Sequence, residues 1–374
     1  MVKSLTPVIT HIITGLDVGG AERALYTLLS NGLEGPFRNQ IISLMGPGHY
    51  GPLIEQAGIP VFCLHMRAGR PSLAALLRLR SLLARAPANL VQGWMSHGNL
   101  AATIVRHWLQ PQSLLAWNIR RSLEGQSTAR LSNRVLTRLS AWLSWKPEAI
   151  IYNSERSLSQ HAQAGYCSSC AIHLPNGFDT NLWAPDDAVR WAVRNEFGIP
   201  VSSRVLGFVG RGHVDKDPAV LFTAFEKLAS IHKDVVLLAV GRDLERFSIN
   251  NNRILLAGQR SDVARLMKAF DLFCMTSRVE GFPNVVGEAM STGVPCVVTD
   301  VGDAKSIVGD AGWVVPPRSV DATVNALNEA LVMKPESLRS MAINSRIRII
   351  NDFSITSVVE RYVSLYRSLL DGKA

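Results

Sequence analysis

Acidic residues are missing from one long stretch of this 374-residue sequence: none occurs between Gln56 and Leu123, where eight arginines fall. Residues 1–175 hold 16 Lys and Arg against 7 Asp and Glu, whereas residues 176–374 hold 23 of each. The formal charge of +9 therefore belongs to the first half alone, which directs that half toward something anionic. No nucleic-acid-binding motif accompanies the charge, so nucleic acid is set aside and an anionic membrane surface is the expected partner. Cysteine is scarce as well. Its five copies include one Cys167-x-x-Cys170 pair, with neither the second pair of a zinc site nor a thioredoxin-like setting. Ordinary reduced thiols in a cytoplasmic protein are expected. No apolar run approaches the ~18 residues of a membrane-spanning helix. The opening MVKSLTPVITHIIT lacks a small-residue cleavage site and reads as a first strand rather than a signal peptide. Also absent are G-x-S-x-G, H-E-x-x-H and G-x-x-x-x-G-K-S/T, the usual anchors of hydrolase and P-loop chemistry.

What is present is a globular composition, 47% hydrophobic and 18% charged, at a length that allows two cores. Strand-like runs at Val8–Thr14, Ile41–Met45, Val61–Leu64, Leu90–Gln92 and Ala149–Tyr152 alternate with helical stretches. These helices are expected from Ala21 to about Ser30, at Ser72–Arg85, Asn99–Leu109 and Ser127–Leu143, and a strand-like LLAW precedes Asn118. That order predicts parallel βαβ units. The turn-rich LPNGFDTNLWAPDD (174–187) interrupts it. Alternation then resumes, with strands at Val205–Val209, Val235–Val240, Ile254–Leu256, Leu272–Met275 and Pro295–Thr299. Near the end, Val359, Tyr362, Tyr366 and Leu369 recur at helical spacing. The expected architecture is α/β, with two Rossmann-like parallel-sheet domains at 1–175 and 176–352. A C-terminal helix at 353–374 is expected to pack back toward the first. Ligands of such sheets bind at the carboxyl ends of strands, so the site is expected in the cleft between the domains.

The stretch EGFPNVVGE sets Glu280 and Glu288 around the start of a helix. Pro283 suits a first helical turn, and the backbone N–H groups from Phe282 to Asn284 would form an anion seat. Glu288 lies about one turn beyond Asn284 on nearly the same face and reaches back toward that seat. One anion flanked by two carboxylates suits a diphosphate between two hydroxyl-bearing rings. In FVGRGHVDKDP, Arg211 and Lys216 follow a strand and can neutralise a diphosphate leaving group. Asp217 is expected to cap the helix beginning at Pro218 rather than to bind metal. The loop TGLDVGGAER, with Gly19 and Gly20, lacks the G-x-G-x-x-G dinucleotide spacing but allows close approach of backbone to a phosphate or sugar.

These segments together resemble the retaining glycosyltransferases of family 4, which carry Glu, seven residues, then Glu. The likeness rests on SRVEGFPNVVGEAMSTGVPCVVTD, VGRGHVDKDPAVLFTAFEKL, GLDVGGAERALYTLL, AGQRSDVARLMKAFDLFCMTS and LPNGFDTNLW, in order and spacing. It implies a GT-B fold and a nucleotide-sugar donor, with no metal or other cofactor. By position, Glu288 would hold the ribose, Glu280 would face the transferred sugar, and the amides around Phe282, Asn284 and Val285 would serve sugar and phosphates. Arg211 and Lys216 would bind the diphosphate and Arg260 would lie beside the base. Gly19 and Gly20 would close over the phosphates, and His97 would stand near the sugar. His213 has no role in this scheme.

The acceptor is left to the basic first half. Arg130, Arg134 and Arg138 recur every four residues as one cationic stripe, with Trp142 and Trp145 close by, and Arg120 and Arg121 follow a strand. They are expected to face the acceptor or an anionic membrane, which suits a peripheral enzyme on the inner face of the cell membrane. Its acceptor would be a lipid-linked or lipopolysaccharide-type saccharide, and family habit favours UDP with a hexose or N-acetylhexosamine. A nucleotide-sugar isomerase or hydrolase, or a non-catalytic nucleotide-sugar sensor, is the alternative on the same residues.

Overall fold

The computed structural model describes residues 6–67, 73–123, 131–247 and 251–372. The chain divides into two compact units. The first runs to Gly177 and regains the chain from Ile355 onward; the second is Phe178–Ser354.

The first unit is built on β1 (Val8–Ile13), β2 (Arg38–Ser43), β3 (Val61–Cys63), β4 (Leu90–Trp94), β5 (Leu114–Ile119), β6 (Ala149–Tyr152) and β7 (Ala171–His173). They form one parallel sheet in the order β3-β2-β1-β4-β5-β6-β7, with Val8 opposite Arg38 and Ile9 opposite Leu90. The central strands are buried on both faces, as parallel sheets covered by helices require. Alternate residues serve separate cores: Ile9, Ile13 and Trp94 join one cluster, Ile12, Val91 and Trp117 the other. His11 is the polar member of β1. It is fully buried but wired, its Nε2 meeting Asn39 Oδ1 at 3.0 Å while the Trp94 indole donates to Nδ1 at 3.1 Å. Burial lowers its pKa to about 4, so the ring stays neutral.

The helix Ile355–Leu370 belongs to this unit. Its Ile355, Val358, Val359, Tyr362, Tyr366 and Leu369 are buried in the same cluster as Ile9 and Trp94. Asn118 Nδ2 donates to the Tyr362 hydroxyl at 2.9 Å, and the Tyr366 hydroxyl donates to Gln92.

The second unit repeats the plan. Strands β8 (Arg204–Val209), β9 (Val235–Val240), β10 (Ile254–Gly258), β11 (Leu272–Met275), β12 (Cys296–Thr299) and β13 (Gly312–Val315) lie in the order β10-β9-β8-β11-β12-β13, all parallel. In both sheets strand order reverses once, between β1 and β4 and between β8 and β11. In each sheet such a reversal, at the carboxyl ends of its own strands, is where ligands of such folds bind.

Candidate active site

In the second unit, the residues singled out from sequence leave the two strands that flank the reversal. Arg211 and Lys216 lie on the loop after β8; Glu280 and the helix Asn284–Ser291 follow β11. The two loops are laced together. Lys216 Nζ donates to Glu280 Oε1, and the Ser277 hydroxyl donates to the same oxygen at 2.7 Å. Thr276 Oγ1 donates to the Lys216 and Asp217 carbonyls at 3.2 and 3.0 Å. The Arg278 guanidinium grips the buried Asp217 carboxylate with bonds of 2.6 and 2.8 Å, which raises the arginine's pKa further. Arg211 stays exposed, with no ion-pair partner among the described residues.

Two sequence expectations are corrected here. Asp217 does not cap the helix Pro218–Ile231 with its side chain. It takes a left-handed backbone (φ 44°) and spends its carboxylate on Arg278, a charge-assisted pair that outcompetes a single cap bond. Pro283 stands one place earlier than expected, as the N-cap of Asn284–Ser291. His213 gains a role that sequence did not supply: its Nδ1 accepts the Asp215 N–H at 3.3 Å and closes the turn between the two cations.

The Asn284–Ser291 helix is held by its apolar side. The Phe282 ring is buried, stacked near Phe178 with centroids 6.2 Å apart, so that residue offers a ligand only its backbone. Gly287 is required, because a Cβ there would lie 2.1 Å from the Phe178 ring. Asn284 and Val285 are half-buried, and Glu288 is 4% exposed and engaged with its surroundings. Arg260 follows β10. It chelates Asp262 with bonds of 2.7 and 2.9 Å and reaches Glu196 at 3.4 Å. That pairing above all holds the Asp262 carboxyl well below its usual range. Among the described residues no group of three His, Cys, Asp or Glu is placed to hold a metal ion.

The first unit places its own candidates at the reversal between β1 and β4. Gly19 is the N-cap of Gly20–Leu28, and the Glu22 carboxylate folds back over it: a Cβ on Gly19 would sit 2.2 Å from Glu22 Oε2. Burial raises the Glu22 pKa, while its own N–H and that of Ala21 oppose the rise. Nothing in the stretch TGLDVGGAER by itself marks this acid for a part. His97 lies exposed in the first turn of the helix Met95–Ile104. That helix presses on the sheet because Gly98 has no side chain; a Cβ would stand 2.4 Å from the Ile12 carbonyl.

Arg120 and Arg121 part company. Arg120 turns inward to Asn118 and Asn176, with its guanidinium 5.4 Å from the Trp94 ring centre; burial lowers its pKa. It therefore belongs to the unit's internal polar network rather than to an exposed cationic face. Arg121 is exposed. Arg134 and Arg138 are exposed on the helix Leu131–Leu143, and Arg130 lies outside the described residues.

Residues 203–332 match the family described as Glycosyl transferases group 1, a stretch containing Arg211, Lys216, Arg260, Glu280 and Glu288. The chain is 30% identical over 213 residues to the UDP-Gal:alpha-D-GlcNAc-diphosphoundecaprenol alpha-1,3-galactosyltransferase of Escherichia coli, covering 54% of each. It is 29% identical over 190 residues to the N-acetyl-alpha-D-glucosaminyl L-malate synthase of Bacillus anthracis, covering 48% of this chain and 49% of that one. The chain thus spans about half the length of these curated relatives. Among solved structures, HepE of Anabaena in complex with UDP superposes with a TM-score of 0.83 at 22% identity, over 96% of this chain and 99% of HepE. WaaG, a glycosyltransferase involved in lipopolysaccharide biosynthesis, gives 0.69 at 17% identity, over 96% and 99%. The fold is that of the GT-B glycosyltransferases, two Rossmann-like parallel-sheet domains. Within it, the second unit carries the group 1 segment.

Proposed function

We propose that this chain is a retaining glycosyltransferase. It moves a hexose or N-acetylhexosamine from a UDP-sugar to a lipid-linked or lipopolysaccharide-type saccharide, without a metal ion. The observation that carries the reading is the lacing of two loops at the second sheet's reversal, in which Lys216, on the loop that also carries Arg211, donates to Glu280, four residues before the helix Asn284–Ser291. Cations and the positive end of a helix suit a diphosphate; Glu288 suits the ribose hydroxyls, Glu280 the sugar, and Arg260 the base. Gly19, Gly20 and His97 are assigned to the phosphates and the sugar on the family resemblance. The Escherichia coli relative is named for a UDP-galactose donor and a diphosphoundecaprenol-linked acceptor, and HepE was crystallised with UDP, both of which support the choice of donor.

In the proposed step the bond from the sugar's anomeric carbon to the diphosphate breaks first, through an oxocarbenium-like state. The acceptor oxygen bonds to that carbon on the same face, and its proton passes to a departing diphosphate oxygen. Arg211 and Lys216 stabilise the charge gathering there. No side-chain nucleophile is needed. The basic first unit is assigned to the acceptor and, through Arg134 and Arg138, to the inner face of an anionic membrane.

A thermal-shift screen across UDP-, GDP- and ADP-sugars tests the donor, since a ligand at 100 times its Kd stabilises by about 2.7 kcal/mol. UDP-sugars are expected to stand out. Glu288→Ala should weaken UDP-sugar binding by roughly 10- to 150-fold, the ~1.5–3 kcal/mol of hydrogen bonds to a charged group. Glu288→Gln, which keeps the volume, guards against misfolding. Unchanged affinity in both variants removes the ribose assignment.

A further inference from the structure

Cys167 and Cys170 take no part in the site described above. They bracket a surface turn between the helix Glu155–Gln163 and β7, and the two residues between them, Ser168 and Ser169, are exposed. Both ends of the turn are pinned to the unit. The Cys167 N–H donates to Ser144 Oγ at 2.8 Å, and the Cys170 carbonyl accepts the Ile150 N–H of β6 at 2.7 Å. Between these anchors the Ala171 N–H returns to the Ser168 carbonyl at 3.3 Å. The backbone thus brings the two side chains together without a covalent bond, and each thiol alters the acidity of the other.

The two sulfurs are not equivalent. Cys167 Sγ lies 3.2 Å from the Ser169 hydroxyl, and the Cys170 thiol and the N–H groups of Cys170 and Ser169 converge on it as well. Burial opposes ionisation there, but those donors together outweigh it and hold the pKa below that of an ordinary thiol. Cys170 goes the other way. Burial, then its bond to the Cys167 sulfur, pushes its pKa up to about 12, and its thiol also lies 3.8 Å from the Ser144 carbonyl. One sulfur is disposed to be a thiolate and its neighbour to keep a proton, which is how an attacking and a resolving cysteine divide their work. Cys63, Cys274 and Cys296 lack such a setting, and burial above all raises the pKa of each. Cys167 is 4% exposed beneath its serine rim and Cys170 is half-buried, so the pair favours a small oxidant. A two-residue turn of this kind opens locally at little cost.

We propose that Cys167 and Cys170 are a redox modification site, a dithiol that a small hydroperoxide closes reversibly into a disulfide. The Cys167 thiolate attacks one peroxide oxygen, the O–O bond breaks and hydroxide leaves, giving a sulfenic acid. The Cys170 sulfur then attacks the Cys167 sulfur; the S–S bond forms as the S–O bond breaks, and the thiol proton leaves with the hydroxyl as water. The proposal is independent of the glycosyl-transfer reading. Treating the full chain with hydrogen peroxide tests it, followed by a free-thiol count, intact mass and peptide mapping. The count is expected to fall from five to three, with the loss of two hydrogens in mass, a Cys167–Cys170 cross-link in the map, and full recovery in dithiothreitol. Cys170→Ser is expected to stop at the sulfenic acid, trapped by dimedone on Cys167, whereas Cys167→Ser gives neither the cross-link nor that adduct. Both variants exchange a thiol for a hydroxyl at a surface turn, and circular dichroism checks that they fold. Five thiols remaining after peroxide, a cross-link between other cysteines, over-oxidation without a disulfide, or a dimedone adduct elsewhere than Cys167 would each overturn the proposal.

Discussion

Lys216 serves two ends. In the free protein its ammonium compensates Glu280, whose side chain is only 12% exposed; in the proposed reaction it meets the departing diphosphate. Lys216→Ala should lower kcat by ~10²–10³, about 2.7–4 kcal/mol of leaving-group stabilisation, and Lys216→Arg should restore part of it. A kcat within threefold of wild type in the alanine variant would remove that role. His11 supports a second prediction, on stability. Its pKa is about 4 in the folded chain and ~6.5 unfolded, so between those values the unfolded state binds more protons. Stability from this residue is then fully present above pH ~6.5 and is lost as pH falls toward 4, on the order of 3 kcal/mol. His161, lowered to about 4 as well, adds a loss of the same sign. Urea midpoints measured from pH 7 to 4 should fall in the wild type and fall less steeply in His11→Gln.

At the scale of elements, the long apolar strands were legible in the sequence because continuous burial leaves a continuous apolar run, as in VITHII and VVLLAV. Two strands were not, AIH of β7 and GWVV of β13, three and four residues long, although the equally short β3, β6, β11 and β12 were expected from their apolar residues. The helix expected at Asn99 starts at Met95 instead; Gly98 reads as a breaker in sequence, yet the fold uses it to bring the helix onto Ile12. At the candidate site, Glu280, Glu288, Arg211 and Lys216 could be singled out in the sequence because each follows a strand end within a short local motif. The Arg278–Asp217 pair was not, since its partners stand 61 residues apart in the chain and only the fold unites them. The last helix was legible through the spacing of Tyr362 and Tyr366, and its contribution can be measured. Tyr362 is fully buried and accepts from Asn118, so Tyr362→Ala should cost about 3–5 kcal/mol and Tyr362→Phe only about 1. Urea denaturation of both variants checks the ranking; equal midpoints would show that the helix adds little to the first unit's core.

Over the whole molecule, charge is divided as the chain is: the surplus of +9 falls in residues 1–175 and none in the remainder. Helix Leu131–Leu143 displays the consequence. Arg134 and Arg138 are exposed beside Val135, Leu139 and Trp142, the last 73% exposed, and Trp145 follows at 70%. A water-facing helix has little use for such apolar side chains, whereas an interfacial one buries them among lipid headgroups while its arginines meet anionic phosphates. Among the described residues no helix is long and apolar enough to cross a membrane. Each arginine near an anionic leaflet contributes about 1 kcal/mol, so Arg134→Gln with Arg138→Gln should weaken binding to phosphatidylserine vesicles about 30-fold. The wild-type affinity should fall as salt shortens the Debye length from ~10 Å at 0.1 M to ~3 Å at 1 M. Trp142→Ala should lower affinity by a factor that salt leaves unchanged, because apolar burial is not screened. Co-sedimentation at two salt concentrations separates the two contributions. If neither substitution changes the bound fraction, the basic aromatic face of this helix is not what the first half's charge is for.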